Sequence, residues 1–171
     1  MELLEAYKHC IYCGGEVSVK INKITCNSCK RIRFINASPA VTGLILQDNK
    51  LLLVKRAEEP SKERWDLPGG FVDLNENFED GLKREMMEEL GVKIKSVKYF
   101  NSVIERYLYK DVNEYVLVIN FIVKPESYDV VPSDDASDAK YFDLHDALNQ
   151  DLAFPTVEQV IKDLIKFKED S

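Results

Sequence analysis

Glu85, Glu88 and Glu89 stand at i, i+3 and i+4, so a helix through them carries three carboxylates on one face. Charges of one sign packed so closely repel, and Arg84 offsets part of the repulsion by pairing with Glu88 one turn on. A purely structural helix has little use for such a cluster, whereas a site for a hard divalent cation needs it. Magnesium takes oxygen ligands, and its usual setting is a few carboxylates that meet substrate phosphates around it. Gly69 and Gly70 lie just ahead of the helix; without side chains they let backbone carbonyls and amides come close to a cation or a phosphate. The bland alternative is an acidic, solvated helix face.

A second set of ligand-type residues lies near the N-terminus. Cys10-x-x-Cys13 and Cys26-x-x-Cys29 are separated by twelve residues. Each pair can form a tight turn that points two sulfurs at one tetrahedral zinc ion, and Gly14-Gly15 suits the first turn. Four sulfur ligands close the coordination shell, so the zinc is expected to be structural. Two disulfides are the alternative, disfavoured in a reducing compartment. His9 adjoins Cys10 and is an alternative ligand or, more simply, a surface residue. A piece of about 35 residues is too small to fold without such a staple.

The helix that must position the glutamates can start from a cap at Asn77 or Asn75, runs to Leu90 and stops at Gly91, a residue suited to a left-handed turn. Phe78, Leu82, Met86 and Leu90 recur every four residues and form its apolar stripe. Upstream, Val41 to Leu46 and Leu51 to Lys55 read as strands joined by the turn Gln47-Asp48-Asn49-Lys50. Glu58 to Arg64 reads as a loop, and Trp65 to Gly70 leads into the helix. Downstream, Val92 to Ser102, Ile104 to Tyr109 and Glu114 to Val123 look extended, with a turn at Asp111-Val112-Asn113. A polar stretch from Pro125 to Ala139 precedes a short strand (Tyr141 to Leu144), a short helix (His145 to Gln150) and an amphipathic helix from Thr156 to Lys168. Strands interleaved with two main helices predict an α/β fold with a mixed sheet between helices. Asn36-Ala37-Ser38-Pro39 reads as a linker, giving a zinc ribbon over 1–36 and a second domain over 37–171.

With 45% apolar and 31% charged residues, the chain has the composition of an ordinary soluble protein. No apolar run approaches a membrane span and the N-terminus lacks a secretory segment, so a cytoplasmic location is expected. Residues 1–35 carry six lysines and arginines against three glutamates, a net +3, which leaves −10 on the rest of a chain whose total is −7. The acidic body will not draw nucleic acid by long-range field; the basic N-terminal piece can, weakly.

The run from Gly70 through Glu76 to Arg84-Glu85-Met86-Met87-Glu88-Glu89-Leu90-Gly91-Val92 resembles the signature of the Nudix hydrolases at every defining position. The resemblance implies an α/β/α sandwich. It also implies a pyrophosphohydrolase, with magnesium or manganese as catalytic cofactor, that cleaves a nucleoside diphosphate linked to another moiety. Glu85 and Glu89 then correspond to direct metal ligands, Glu88 to a third and the Gly70 carbonyl to another. Arg84 corresponds to the arginine that orients the glutamates, and Glu76 to a support tying loop to helix. A late-loop acid often joins such sites as ligand or general base. Asp134, Asp135 and Asp138 are the candidates here, with Asp135 favoured by its spacing from Tyr141-Phe142. Glu63 and Asn75 stand where glycine is common in the family, and Gly81 lies inside the helix.

Around this box, Arg56 is a candidate phosphate contact or an ion pair. Trp65 is a base-stacking residue or loop packing, and Tyr107 and Tyr109 line a nucleoside pocket or pack a strand. A zinc ribbon ahead of the box resembles the NADH pyrophosphatase and ADP-ribose pyrophosphatase branch. The corresponding region here, Tyr99 to Tyr109, has neither the proline nor the tryptophan of the NADH-specific stretch. The expected substrate is therefore ADP-ribose or a related dinucleotide, with NADH, capped RNA ends and oxidised nucleotides as alternatives. The competing class is a nucleotide-sensing module whose ribbon contacts RNA or protein. Expected partners are the small-molecule substrate and, as candidates, nucleic acid at the ribbon and a second copy in a homodimer; no membrane is expected.

The cysteine pattern predicts about one tightly bound zinc per chain through Cys10, Cys13, Cys26 and Cys29. Elemental analysis of the purified protein tests this; no zinc, with mass spectrometry showing two disulfides, contradicts it.

Overall fold

The computed structural model describes residues 2–170, apart from the side chain of Tyr109, so the reading of Tyr109 as a pocket residue lies outside the described residues. The chain divides into two compact units, Met1–Ser38 with Arg106–Val116, and Pro39–Glu105 with Leu117–Ser171.

The first unit carries a three-stranded antiparallel sheet of β1 (Val17–Lys20), β2 (Lys23–Cys26) and β3 (Ile32–Phe34), in that order. Its strands and their register are a structural addition to the cysteine turns read from the sequence. The two C-x-x-C turns are built alike. Gly14 N–H donates to the Cys10 carbonyl at 2.9 Å and Lys30 N–H to the Cys26 carbonyl at 3.2 Å. Gly14 and Lys30, each one residue past the second cysteine, both take left-handed φ values of 71° and 61°. At the unit's other side, the Glu2 carboxylate accepts hydrogen bonds from Arg106, from Asn113 Nδ2 at 2.9 Å and from the Tyr115 hydroxyl at 3.1 Å.

The larger sheet, most of it in the second unit, is mixed. Its strands are β4 (Ser38–Gln47), β5 (Lys50–Arg56), β6 (Trp65–Asp66), β7 (Gly69–Phe71), β8 (Ile94–Tyr109), β9 (Val112–Pro125) and β10 (Ala136–Asp143). The order is β10-β5-β4-β9-β8, with β6 paired to β5 and β7 to β4. The helices are α1 (Phe78–Leu90), α2 (Leu144–Ala147) and α3 (Pro155–Glu169). Successive strand residues face opposite sides, and β5 shows the consequence. Leu52 and Val54 join Leu82, Met86 and Leu90 of α1 in one buried cluster, while Leu51 and Leu53 join Val157, Val160, Ile161 and Leu164 of α3 in another. A strand buried on both faces reads as an unbroken apolar run, as Leu51–Val54 does. The sheet lies between α1 and α3: an α/β/α sandwich.

Several elements differ from the sequence reading. The two extended stretches after α1 are one strand, β8, and the turn that follows is Lys110-Asp111, both at positive φ, so that Val112 already belongs to β9. Strand β10 begins at Ala136, inside the stretch read as polar loop, because Ala136 is buried against β5 while its neighbours face solvent. Phe78 is exposed; the buried stripe of α1 starts only at Leu82, since the first turn projects beyond the sheet-facing contacts. The two departures from family glycines both sit at left-handed φ, Glu63 at 65° and Asn75 at 71°. Asparagine tolerates this conformation far better than glutamate. Gly81 has a local reason: a Cβ there would lie 3.3 Å from Glu76 Oε2 and 3.5 Å from Val72 Cγ2, so the loop before α1 rests on this bare patch of helix.

Gly81→Ala gains helix propensity worth about 1 kcal/mol and presses on Glu76 and Val72. A net gain below about 0.5 kcal/mol in chemical unfolding is expected; the full propensity gain would show that the loop yields freely.

Candidate active site

Helix α1 starts cleanly: Asn77 is the N-cap, its side-chain oxygen accepting from Asp80 N–H at 2.8 Å. It ends at Gly91, with φ 66°. Between these caps the helix brings Arg84, Glu85, Glu88 and Glu89 beside the glycine strand β7. Gly69 pairs with Thr42 and Gly70 with Val41 on β4. Close approach requires Gly69 and favours Gly70. A Cβ on Gly69 would fall 2.0 Å from the Val41 carbonyl oxygen, and one on Gly70 would fall 2.5 Å from Glu85 Oε1. The Glu85 carboxylate therefore lies directly over the Gly70 backbone.

The Arg84 guanidinium organises the cluster. Its Nε donates to Glu76 Oε1 at 2.9 Å, one terminal nitrogen to Glu85 at 2.7 Å and Glu88 at 3.0 Å, and the other to the Phe71 carbonyl at 2.9 Å and Glu76 Oε2 at 3.0 Å. A guanidinium has five N–H donors, and these five bonds engage them all. Arg84 thus orients carboxylates and has no donor left for a phosphate. Glu76 also accepts from Asp73 N–H at 3.0 Å, tying the loop to the helix. The arginine's bonds hold the Glu76 carboxyl below its ordinary range.

Glu89 lies outside this embrace. It is 7% exposed, and its Oε2 accepts the Gly69 amide at 2.8 Å. That amide, read from the sequence as available to a phosphate, is committed to the carboxylate. Burial pushes the Glu89 carboxyl up to about 8, against the pull of the Gly69 amide, and the charges of Glu85, Asp66 and Asp135 reinforce the shift. Glu85 is also raised by burial, with Arg84 opposing and Glu88 and Asp135 adding to the shift. The chemistry of this donor set fits a divalent cation: a buried Glu89 whose carboxyl is raised to about 8 and a Glu85 raised by burial, set against a backbone stripped of side chains.

The late loop is clipped to the end of α1. Ser133 N–H donates to the Glu89 carbonyl at 2.9 Å, and its hydroxyl donates to the Glu88 carbonyl. On the far side of Asp135, Ala57 N–H donates to the Asp135 carbonyl at 2.8 Å. Among Asp134, Asp135 and Asp138, it is Asp135 whose charge acts on both Glu85 and Glu89. Sequence reasoning missed Ser133; a serine next to the acidic run was the available signal, and only the loop's path gives it meaning. It also missed a polar chain under β7's partner strand, Thr42 to Asn120 to Asn101 to Asp163, in which Asn120 is fully buried.

The remaining candidates make contacts of their own. Arg56 donates to Asp66 at 3.0 Å and to the Pro60 carbonyl at 2.8 Å, and its guanidinium lies 5.2 Å from the Phe154 ring centroid. Burial raises the Asp66 carboxyl, and Arg56 opposes the shift. Trp65 packs edge-on against Phe142 at 4.9 Å, with the Lys55 ammonium 5.7 Å from its ring centroid. Tyr107 is half-buried and belongs to the first unit. In that unit the four cysteine Sγ atoms lie within 4.8 Å of one another, Cys10 to Cys29 at 3.8 Å and Cys13 to Cys26 at 3.6 Å. The edge of a tetrahedron with zinc–sulfur bonds of about 2.3 Å is about 3.8 Å, so the set fits that ion, and no disulfide joins these free thiols.

A box of this construction on this sandwich defines a class, and comparison with known proteins agrees. The model of the NUDIX domain matches residues 37–164, and the chain belongs to this family of hydrolases. It is 37% identical over 137 residues to an ADP-ribose pyrophosphatase of Methanocaldococcus jannaschii, covering 79% of this chain and 77% of that one. It is 30% identical over 103 residues to the NAD-capped RNA hydrolase NudC of Shigella flexneri, a match to 59% of this chain but only 40% of that relative's length. A crystal structure of a NUDIX hydrolase from Nitrosomonas europaea superposes with a TM-score of 0.64 at 26% identity, covering 89% of this chain and 86% of that one.

Without a cation, a carboxyl titrating at about 8 in the fold and near 4.5 when unfolded makes the protein less stable as pH rises between those values. Glu89→Gln should remove that dependence and leave the metal-free protein more stable at pH about 8, by on the order of 1–3 kcal/mol. The same variant should lose at least about two orders of magnitude in turnover at saturating magnesium. Thermal melts against pH and steady-state assays check both; full activity in a folded variant contradicts the role.

Proposed function

We propose that this chain hydrolyses ADP-ribose, or a closely similar adenosine diphosphate conjugate, at its diphosphate. The observation that carries the reading is the carboxylate pair Glu85 and Glu89 set over Gly69-Gly70 with Arg84 wholly engaged in orienting its neighbours. The substrate choice is supported by the 37% identity to the archaeal ADP-ribose pyrophosphatase. Glu85, Glu88, Glu89 and the Gly70 carbonyl are the proposed ligands of magnesium or manganese. When bound, such an ion neutralises charge on the diphosphate and acidifies a water. A cation held there would favour the ionised form of Glu89, and the Gly69 N–H would stabilise that anion. Arg84 holds Glu85 and Glu88 in fixed directions, so little side-chain freedom remains to be lost when the substrate arrives. Asp135, exposed and facing the same carboxylates, is the proposed general base or additional ligand.

Around that site, the proposal places a structural zinc on the four cysteines of a ribbon spanning 1–36, with the hydrolase domain over 37–171. Among the described residues no helix is long and apolar enough to cross a membrane; a cytoplasmic setting is part of the proposal. Arg56 and Trp65, though engaged in packing, remain our candidates for the rim of the substrate site.

The test is product analysis with magnesium present over a panel of nucleoside diphosphate derivatives. ADP-ribose should be cut to AMP and a phosphorylated sugar. Efficient cleavage of nucleoside triphosphates or 5′-capped RNA with ADP-ribose untouched contradicts the substrate while leaving the reaction class intact.

A further inference from the structure

The ribbon's sheet has two faces, and one of them is not explained by zinc or by the core. In register, Lys20 pairs with Lys23 and Lys23 with Phe34, so these three side chains form one cross-strand row on a single face. The neighbouring row on the same face is Ser18, Thr25 and Ile32. Directly paired residues hold their Cβ atoms about 5 Å apart, so Phe34 stands on the edge strand at the end of the row, with Lys23 beside it and Lys20 one strand further on. Phe34 is 59% exposed and Ile32 50%.

The hairpin tip beside this row adds a second observation. Ile21 takes φ 57° and is 83% exposed. A β-branched residue in that conformation is a strained outlier, and asparagine or glycine would make the turn without strain. Neither hairpin stability nor solubility favours a strained, exposed isoleucine, whereas a contact surface accommodates one.

We propose that this face binds single-stranded nucleic acid, with a base stacked on Phe34 and adjacent phosphates on Lys20 and Lys23. The chemistry matches part for part. An aromatic stacking platform with cations beside it is how unpaired strands are held without sequence preference. Counting the −2 of a zinc held by four thiolates, the first 35 residues remain cationic while the rest of the chain carries −10. The charge thus favours the ribbon as the place where a polyanion settles. An acidic peptide would satisfy the lysines but leave the ring without a partner. The proposal is independent of which diphosphate the catalytic site cuts.

Fluorescence anisotropy of the intact, zinc-loaded chain with a labelled oligoadenylate of about ten nucleotides tests it. Saturable binding is expected at about 50 mM salt, with a dissociation constant on the order of 10 μM. Phe34→Ala should weaken it by about 5-fold or more. Lys20→Ser with Lys23→Ser should flatten the log–log salt slope by about 1.4, the value for two phosphates on a single strand. Phe34→Leu, which keeps an apolar side chain without the π-face, should also weaken binding. Unchanged zinc content and an unchanged thermal melting temperature in each variant confirm that the fold is intact. No binding, binding indifferent to these substitutions, or an oligoglutamate that competes equally while Phe34 is irrelevant each overturns the proposal.

Discussion

One guanidinium holds the charge balance of this fold's chemistry. Arg84 binds the carboxylates of Glu76, Glu85 and Glu88 with Glu76 taken in two-pronged fashion, and a fifth bond anchors it to the Phe71 carbonyl. Three anions gathered at one helix face would otherwise splay apart or take up protons. With the arginine in place they are fixed in direction yet still carry more negative charge than it cancels. Glu89 makes the imbalance acute: it is buried, receives one backbone amide and has negative neighbours in Glu85, Asp66 and Asp135. The site is therefore incomplete in charge, and a divalent cation is the group whose arrival resolves it.

The rest of the unit keeps that imbalance from relaxing. Gly69 and Gly70 allow β7 to lie against both β4 and the α1 carboxylates, an approach that a side chain would block at Gly69 and crowd at Gly70. Leu82, Met86 and Leu90 fix the stripe of α1 that adjoins Glu85 and Glu89 in a fully buried cluster, so the helix cannot roll to turn these two glutamates away from β7. Ser133 pins the late loop to the last carbonyls of α1, which would otherwise lack partners at a helix end. One contact thus caps the helix and delivers Asp135 to the site.

Much of this was legible in the sequence, for reasons that differ by element. The helix was legible from its caps and its four-residue stripe, and the carboxylate face from i, i+3, i+4 spacing. The hairpin of β4 and β5 was legible because Asp48 and Asn49 suit left-handed turn positions, and they take φ values of 46° and 68°. What was not legible depends on contacts distant in sequence. Arg56 read as a phosphate contact or an ion pair, and its partner Asp66 emerges only once β6 pairs with β5. Strands β6 and β7 are two and three residues long, too short for any periodicity to mark them. The helix glycine, Gly81, has no reason in the helix's own pattern and is explained by a loop packed upon it. Register in the ribbon was equally hidden: its lysines and Phe34 were visible as a composition, not as a row.

The account stands on the claim that the α1 carboxylates and the Gly70 backbone form one cation site. Anomalous diffraction from crystals soaked in manganese tests it most directly. The account predicts a peak about 2.1–2.2 Å from carboxylate oxygens of Glu85 and Glu89, close to the Gly70 carbonyl and absent in Glu89→Gln. Manganese that binds only at other carboxylates, or that is unaffected by this substitution, would contradict it.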